Sequence, residues 1–359
     1  MIEIPLVIWY TVDNWLARAN LRNEKVSFLN EKKSVPADWE GFQNEELGSA
    51  SAVILENDSC RVTKITGESG EGVMTMYQVY DGVYLMYHDF HMRECAAQFA
   101  PEEAMLCIAH CREGRIEMSS EHGTSYYMEK GDMRMDNMSN HRGACRFPLC
   151  HYHGITIGFQ TERAETALRK EMPGFNFELK ALAEKFCSND APFVIRSEPS
   201  VEHLFYQLYK LPGRVQKDYF KIKIMELLLY LSGMEVDPYR VERPYFYASQ
   251  VEKIRAIERL ITSDLTHSHT LEELSERFSI SLTTMKRCFK STYGSPIYSY
   301  LKKYRIHQAA NLLITRRELK TSSIGAMVGY ESPSKFTAVF HEMMGETPLG
   351  YRKNHGLES

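Results

Sequence analysis

The sequence predicts an α+β multidomain chain: a β-rich segment that passes into helices, followed by an all-α module. Three observations carry this. Short apolar or alternating runs broken by Gly and Asp occupy residues 51–159, helical periodicity takes over after Thr161, and the last hundred residues contain an internal repeat. An apolar fraction of 43% with 25% charged residues suits a soluble globular chain and argues against disorder, and 359 residues suffice for two or three cores.

Residues 1–50 form an extension of uncertain structure, with a short helix expected over 13–19. The N-terminus carries an acid at position 3 and too short an apolar run for a signal peptide, and the run Leu227 to Leu231 is far too short to span a membrane. The expectation is a cytoplasmic protein without a membrane association. Eight cysteines at irregular spacing, with no Cys-x-x-Cys pair, fit reduced thiols.

Within 51–159 the strands are expected at "AVILEN", "GVMTMYQVYDGVYLMYH", "AMLCIAHCREGRIEM", "GTSYYMEKGDMRMDNM" and "HYHGITIGF". Asp81-Gly82 and Glu113-Gly114 read as hairpin turns between paired runs, and the spacing suggests a sandwich or small barrel. Helices follow over "TERAETALRKEM", "NFELKALAEKFC", "SVEHLFYQLYKL" and "KDYFKIKIMELLLYLSGM". The last is apolar on more than one stripe, so it is expected to be covered on two sides. Domain boundaries are placed at 51–234 for this β-rich then helical sensing or dimerisation domain, 235–248 for a linker carrying Pro238 and Pro244, and 249–353 for the C-terminal module.

Charge divides the same way. Residues 249–359 hold 16 Lys and Arg against 11 Asp and Glu, while the rest holds 27 against 36. A basic end on an acidic chain points to a polyanion-binding module.

"SLTTMKRCFKSTYG" aligns with "SPSKFTAVFHEMMG" at an offset of 51 residues: Ser281 with Ser332, Met285 with Phe336, Phe289 with Phe340, Gly294 with Gly345. Each copy follows a short helix. Thr270 and Glu273 form a capping box before "LEELSERF", and Ser279-Ile280-Ser281 is the turn; in the second copy "SSIGAMV", Gly329 and Ser332-Pro333 play these parts. Ser249 with Glu252 is read as a further capping box. The two copies are helix-turn-helix units whose second helices bury Met285, Cys288, Phe289 and Tyr293, or Phe336, Val339, Phe340 and Met343. Left outside are Thr283, Thr284, Lys286, Arg287 and Lys290 in one copy and Ser334, Lys335, Thr337, Ala338 and His341 in the other. Arg and Lys can pair with guanine, hydroxyls with several base edges, and methyls with thymine. A connecting helix from about Pro296 to Ile314, carrying Lys302, Lys303 and Arg305, can hold the two at adjacent major-groove entries about 34 Å apart.

Residues 249–353 resemble the DNA-binding domain of AraC/XylS-type transcription regulators. The matching motifs are S-x-x-x-M-x-R-x-F-K from Ser281, Y-x-x-x-x-R-x-x-x-A-x-x-L-L from Tyr300, G-Y-x-S-x-S-x-F from Gly329 and F-x-x-x-x-G-x-T-P-x-x-Y-R from Phe340. The resemblance implies base reading by Thr283, Lys286 and Arg287 and by Pro333, Ser334, Thr337 and Ala338. Ala338 stands where many relatives carry Arg, His341 where they carry Lys, and Gly325 where Ala is usual, a change expected to weaken its helix by up to about 1 kcal/mol. Such regulators often carry a cupin-like barrel followed by helices, so a cupin-like N-terminal domain is expected by analogy.

The resemblance implies a sequence-specific, non-enzymatic transcription regulator acting on double-stranded promoter DNA, with a small-molecule effector, a homodimeric state and, for an activator, RNA polymerase as a partner. No cofactor is expected. Seven of thirteen histidines fall between 88 and 153. Tyr84, Tyr87, His88, His151 and His153 are candidate ligand contacts. His151 and His153 share a strand face and, with His88 or His91, have metal-ligand potential, but the cupin-type His-x-His with its following Glu is absent and no metal is expected. The rival reading is a metal-binding or enzymatic N-terminal domain with the helix-turn-helix module as an accessory. Cys107 and Cys111, or Cys145 and Cys150, are read as buried thiols ahead of redox sensors.

Overall fold

The computed structural model describes residues 51–57, 60–99, 105–119, 124–137, 141–175, 178–187, 192–209, 216–235 and 246–355. Expectations for 1–50 and for most of the linker fall outside them. Of the described residues, one compact unit contains 51–119 and 126–235, the other 124–125 and 246–355.

The N-terminal unit is a curled antiparallel sheet, a half-barrel, flanked by helices. Its strands are β1 Ser51–Glu56, β2 Cys60–Gly67, β3 Gly70–Tyr80, β4 Val83–His91, β5 Glu94–Phe99, β6 Met105–Ser119, β7 Thr124–Glu129, β8 Met133–Asn137, β9 His141–Arg146, β10 Tyr152–Gln160 and β11 Phe193–Ile195. The order β1-β2-β3-β4-β10-β6 places β4 and β10 in the middle of the sheet. Asp81-Gly82 does turn β3 into β4. Gly82 takes φ +70, and a Cβ there would stand 2.7 Å from the Ala164 nitrogen, so both backbone and neighbour require glycine.

Glu113-Gly114 is not a hairpin turn. β6 runs unbroken through it, and Gly114 at φ +83 bends the strand beside a register shift opposite His153 and Gly154. The bend lets the first half of β6 pair with β8 and β10 and the second half with β9. An isolated glycine between alternating runs fits such a bulge as well as a turn.

Alternation sorts the side chains onto two faces. Inside the curl lie Met76, Tyr84, Met86, Phe90, Cys107, Ala109, Cys111, Phe147 and Tyr152. On the other face Val83, Leu85, Ile108, Met133, Met135, Ile155, Ile157 and Phe159 pack against the helices α1 Thr161–Glu171, α2 Leu179–Cys187, α3 Pro199–Tyr206 and α4 Gln216–Gly233. α4 buries Phe220, Ile224, Leu227, Leu228 and Leu231. Its second stripe is open, with Ile222 63% and Leu229 48% exposed.

The regular structure of 246–355 is helical apart from the short strand Phe246–Tyr247: α5 Ala248–Ser263, α6 Leu271–Arg277, α7 Leu282–Tyr293, α8 Ile297–Thr315, α9 Thr321–Met327, α10 Pro333–Met344 and α11 Pro348–His355. Ser249 does not cap α5. The helix begins earlier, with Tyr247 as N-cap and its amide donating to Gln250 Oε1 at 3.3 Å. α8 runs through the middle, and its Ile306, Ala309, Ala310 and Leu313 form one core with Ile324, Val328, Phe336 and Phe340. Burying the two phenylalanines contributes roughly 2–3 kcal/mol each.

Candidate nucleic-acid interface

In the first helix pair, Thr270 and Glu273 cap reciprocally: Glu273 N–H donates to Thr270 Oγ1 at 3.2 Å and Thr270 N–H to Glu273 Oε2 at 2.9 Å. Ser279 turns the chain at φ +47, and Ser281 Oγ accepts the Thr284 amide at 3.3 Å to start α7. Gly294 at φ +75 ends it. The second pair repeats the arrangement. Gly329 turns at φ +84, Ser332 Oγ accepts the Lys335 amide at 3.3 Å, Pro333 occupies the first turn, and Gly345 stops α10 at φ +79.

These caps fix which faces point outward. Met285, Cys288, Phe289 and Tyr293 are buried, as are Phe336 and Phe340, with Val339 and Met343 partly so. Thr283, Lys286, Arg287 and Lys290 are exposed on α7, and Pro333, Ser334, Lys335, Thr337, Ala338 and His341 on α10. Thr284 is half-buried and its Oγ1 accepts from Ser281 Oγ at 2.9 Å, so part of its hydroxyl capacity serves the cap. Thr337 Oγ1 donates back to the Pro333 carbonyl at 2.9 Å, leaving its methyl and lone pairs outward. Lys286, Arg287, Lys290 and Lys335 have no carboxylate partner among the described residues. The Arg287 guanidinium lies 5.5 Å from the Phe246 ring centroid, a cation–π distance.

Two cations of the connecting helix serve the fold. Arg305 donates to the Leu265 carbonyl at 2.7 Å, and Lys302 pairs with Glu342 at 3.0 Å; Lys303 stays exposed. Gly329 sits against the same carbonyl, where a Cβ would come within 2.0 Å of Leu265 O and 2.9 Å of Arg305 Cζ. Gly325 likewise has a packing reason: a Cβ there would stand 2.9 Å from Phe336 Cδ1.

The five N-terminal candidates do not converge. Tyr84 is fully buried inside the curl, and His88 is on the same face, its Nε2 2.9 Å from Thr156 Oγ1. Burial, then the nearby Arg134 charge, lowers the His88 pKa to about 4. Tyr87 points to the helices, donating to the Leu208 carbonyl at 2.6 Å. His151 and His153 stand beyond it at the start of β10 and are pushed below the usual imidazole range, chiefly by burial. Asp89 opposes that shift at His153.

Three groups escaped the sequence reading. Arg134 and Asp136 form a buried pair at 3.1 Å inside the curl, close to Tyr126 and Tyr152, and the alternation in "MRMDN" was the available signal. His110 stacks on Phe205 with centroids 4.5 Å apart, its Nδ1 3.0 Å from Tyr209 Oη; burial lowers its pKa to about 4, with Glu202 opposing. Asp89 stands between His91 and His153. Burial raises the thiols of Cys107, Cys111 and Cys145 above their ordinary range, which suits inert cysteines.

Residues 274–354 match the helix-turn-helix domain family. Over 104 residues the chain is 30% identical to the HTH-type transcriptional activator RhaR of Enterobacter sp. (strain 638), covering 28% of this chain and 36% of that one. The RhaR of Pectobacterium carotovorum is 24% identical over 140 residues, 39% of this chain and 49% of that one. Among solved structures, the C-terminal domain of AraT from Geobacillus stearothermophilus is 28% identical with a TM-score of 0.28, covering 31% of this chain and 88% of that one. The chain spans less than half the length of the curated relatives it matches. Its C-terminal module is an AraC-type helix-turn-helix domain. No helix among the described residues is long and apolar enough to cross a membrane.

Proposed function

We propose that the protein is a cytoplasmic, sequence-specific DNA-binding transcription regulator that reads promoter DNA with α7 and α10. The observation that carries this is the pair of serine-capped, glycine-stopped helices, 51 residues apart, with apolar sides buried and short polar and basic sides open. Thr283, Lys286 and Arg287 read bases from α7, with Thr284 and Lys290 alongside. Pro333, Ser334, Thr337 and Ala338 face bases from α10, flanked by Lys335 and His341. With Ala338 and His341 in place of stronger donors, α10 contacts thymine methyls and positions the module, and α7 supplies most of the base discrimination.

The domain division 51–234, 235–248 and 249–353 belongs to the same reading, with the half-barrel unit sensing a small-molecule effector and mediating homodimerisation. Buried Arg134 and Asp136 among apolar walls, with His88 and Tyr126 near them, supply the polar anchors that such an effector needs. RNA polymerase is a partner if the regulator activates. The protein has no catalytic role in this reading.

Enrichment from a randomised DNA library tests the DNA half. The full chain selects a defined motif, and Arg287→Ala weakens it by roughly 1–3 kcal/mol while relaxing preference at one position. An unchanged motif and affinity for Arg287→Ala would overturn the assignment.

A further inference from the structure

We propose that the N-terminal unit binds one divalent transition-metal ion, Zn(II) for preference, through Asp89, His91 and His153. Asp89 and His91 lie two residues apart on β4 and so share a face, and His153 sits directly opposite Asp89 across the β4–β10 ladder. His91 Nε2 is 2.8 Å and His153 Nε2 3.4 Å from the same carboxylate oxygen, Asp89 Oδ1. The three donor atoms all lie within 4.8 Å of one another.

That spacing is close to what a zinc ion imposes. With metal–ligand bonds of about 2.0–2.2 Å, donors around a tetrahedral centre stand roughly 3.3–3.6 Å apart, so side-chain adjustments of an ångström or less bring all three onto one ion. Two imidazoles and a carboxylate favour zinc, iron or nickel over magnesium and calcium, whose sites are built from oxygen. The frame is two adjacent central strands, which fixes the Cα positions of all three ligands.

The surroundings supply further ligands. His151 lies 6.1 Å from His153 between ring centroids, and its Nδ1–H donates to the Leu149 carbonyl at 3.1 Å. That bond leaves Nε2 as the lone-pair nitrogen, the tautomer a metal ligand needs. Glu113 faces His153 from β6 in register, giving a second carboxylate. Asp89, His91 and His153 are half-buried, so an ion can enter from solvent. His88, which sequence spacing offered as a partner, points to the opposite face and takes no part.

The test is zinc titration of the metal-stripped full-length protein by calorimetry. The expected result is one equivalent per chain, with affinity reduced at least about tenfold by His91→Gln, His153→Gln or Asp89→Asn. His88→Gln and the double variant His267→Gln/His269→Gln, which removes a close histidine pair in the C-terminal unit, leave it unchanged. Zinc raises the melting temperature of the wild type and not that of the three ligand variants. If those variants misfold, acylation of wild-type histidines by diethylpyrocarbonate, mapped by mass spectrometry, decides instead: zinc protects His91 and His153. Absence of saturable zinc uptake, or protection confined to other histidines, overturns the proposal. Operator affinity, measured on the same samples, reports the DNA-reading assignment separately.

Discussion

Replacing Gly325 by Ala sets two effects of opposite sign against each other. In an exposed helix the change gains about 1 kcal/mol, because alanine loses less backbone freedom on folding. Here the new Cβ would stand 2.9, 3.0 and 3.3 Å from Cδ1, Cγ and Cβ of Phe336, where ordinary carbon contacts are about 3.5–4.0 Å. Phe336 is 1% exposed, and its ring is backed by Tyr330 and Phe340 with centroids 5.6 and 5.7 Å away, so it has little room to retreat. Overpacking of this kind costs about 1–3 kcal/mol, so against a gain of about 1 kcal/mol the net expectation is a loss of up to about 2 kcal/mol. Urea unfolding of the full chain measures it, with amide exchange localising the loss to α9 and α10. In a Phe336→Leu background the clash is relieved, and Gly325→Ala becomes neutral or stabilising. A stabilisation of about 1 kcal/mol with Phe336 in place would refute the reasoning.

Three further outcomes follow from the same geometry. Ser281→Ala and Ser332→Ala each remove a cap acceptor and destabilise the C-terminal unit by about 1 kcal/mol, measurable as faster exchange of the first-turn amides of α7 or α10. His110 is held neutral in the fold down to about pH 4, while the unfolded chain protonates near 6.5. Stability is therefore complete above about pH 6.5 and falls as pH drops toward 4, by up to roughly 3 kcal/mol for this group; His110→Gln flattens that part of a urea-midpoint profile. Arg305→Lys keeps the charge but loses the planar donor to Leu265 O, and it destabilises the module by about 1 kcal/mol in a denaturant melt.

What the sequence disclosed was local. Capping residues and glycines at left-handed positions announce themselves because their chemistry acts within four residues, and Thr270, Ser332 and Gly329 take the cap and turn roles that the spacing predicts. The hairpin at Asp81-Gly82 was legible for the same reason. Gly114 was not, since a bulge and a turn share one local signature and only the pairing of β6 on both sides distinguishes them. At α5 the Ser249 and Glu252 pattern was sound, yet Tyr247 and Gln250 took the helix start two residues earlier. Pairings across long separations were least visible. Arg305 looked like a surface cation on a basic helix, and its acceptor lies 40 residues away; Asp89 meets His153 only through the β4–β10 register.

The knot at Leu265 sets a mechanical property of the proposed reader. One carbonyl receives the Arg305 guanidinium and lies hard against Gly329, so the connecting helix, the segment entering the first helix pair and the turn of the second are clamped at one point. A clamped pair of reading heads behaves as a caliper of fixed opening. One base pair inserted between the two contacted sites rotates the second by roughly 35° about the DNA axis. If the shared carbonyl holds the two helix pairs together through that rotation, the proposed reader loses one set of contacts, and the distance between half-sites then discriminates among promoters independently of the bases within them.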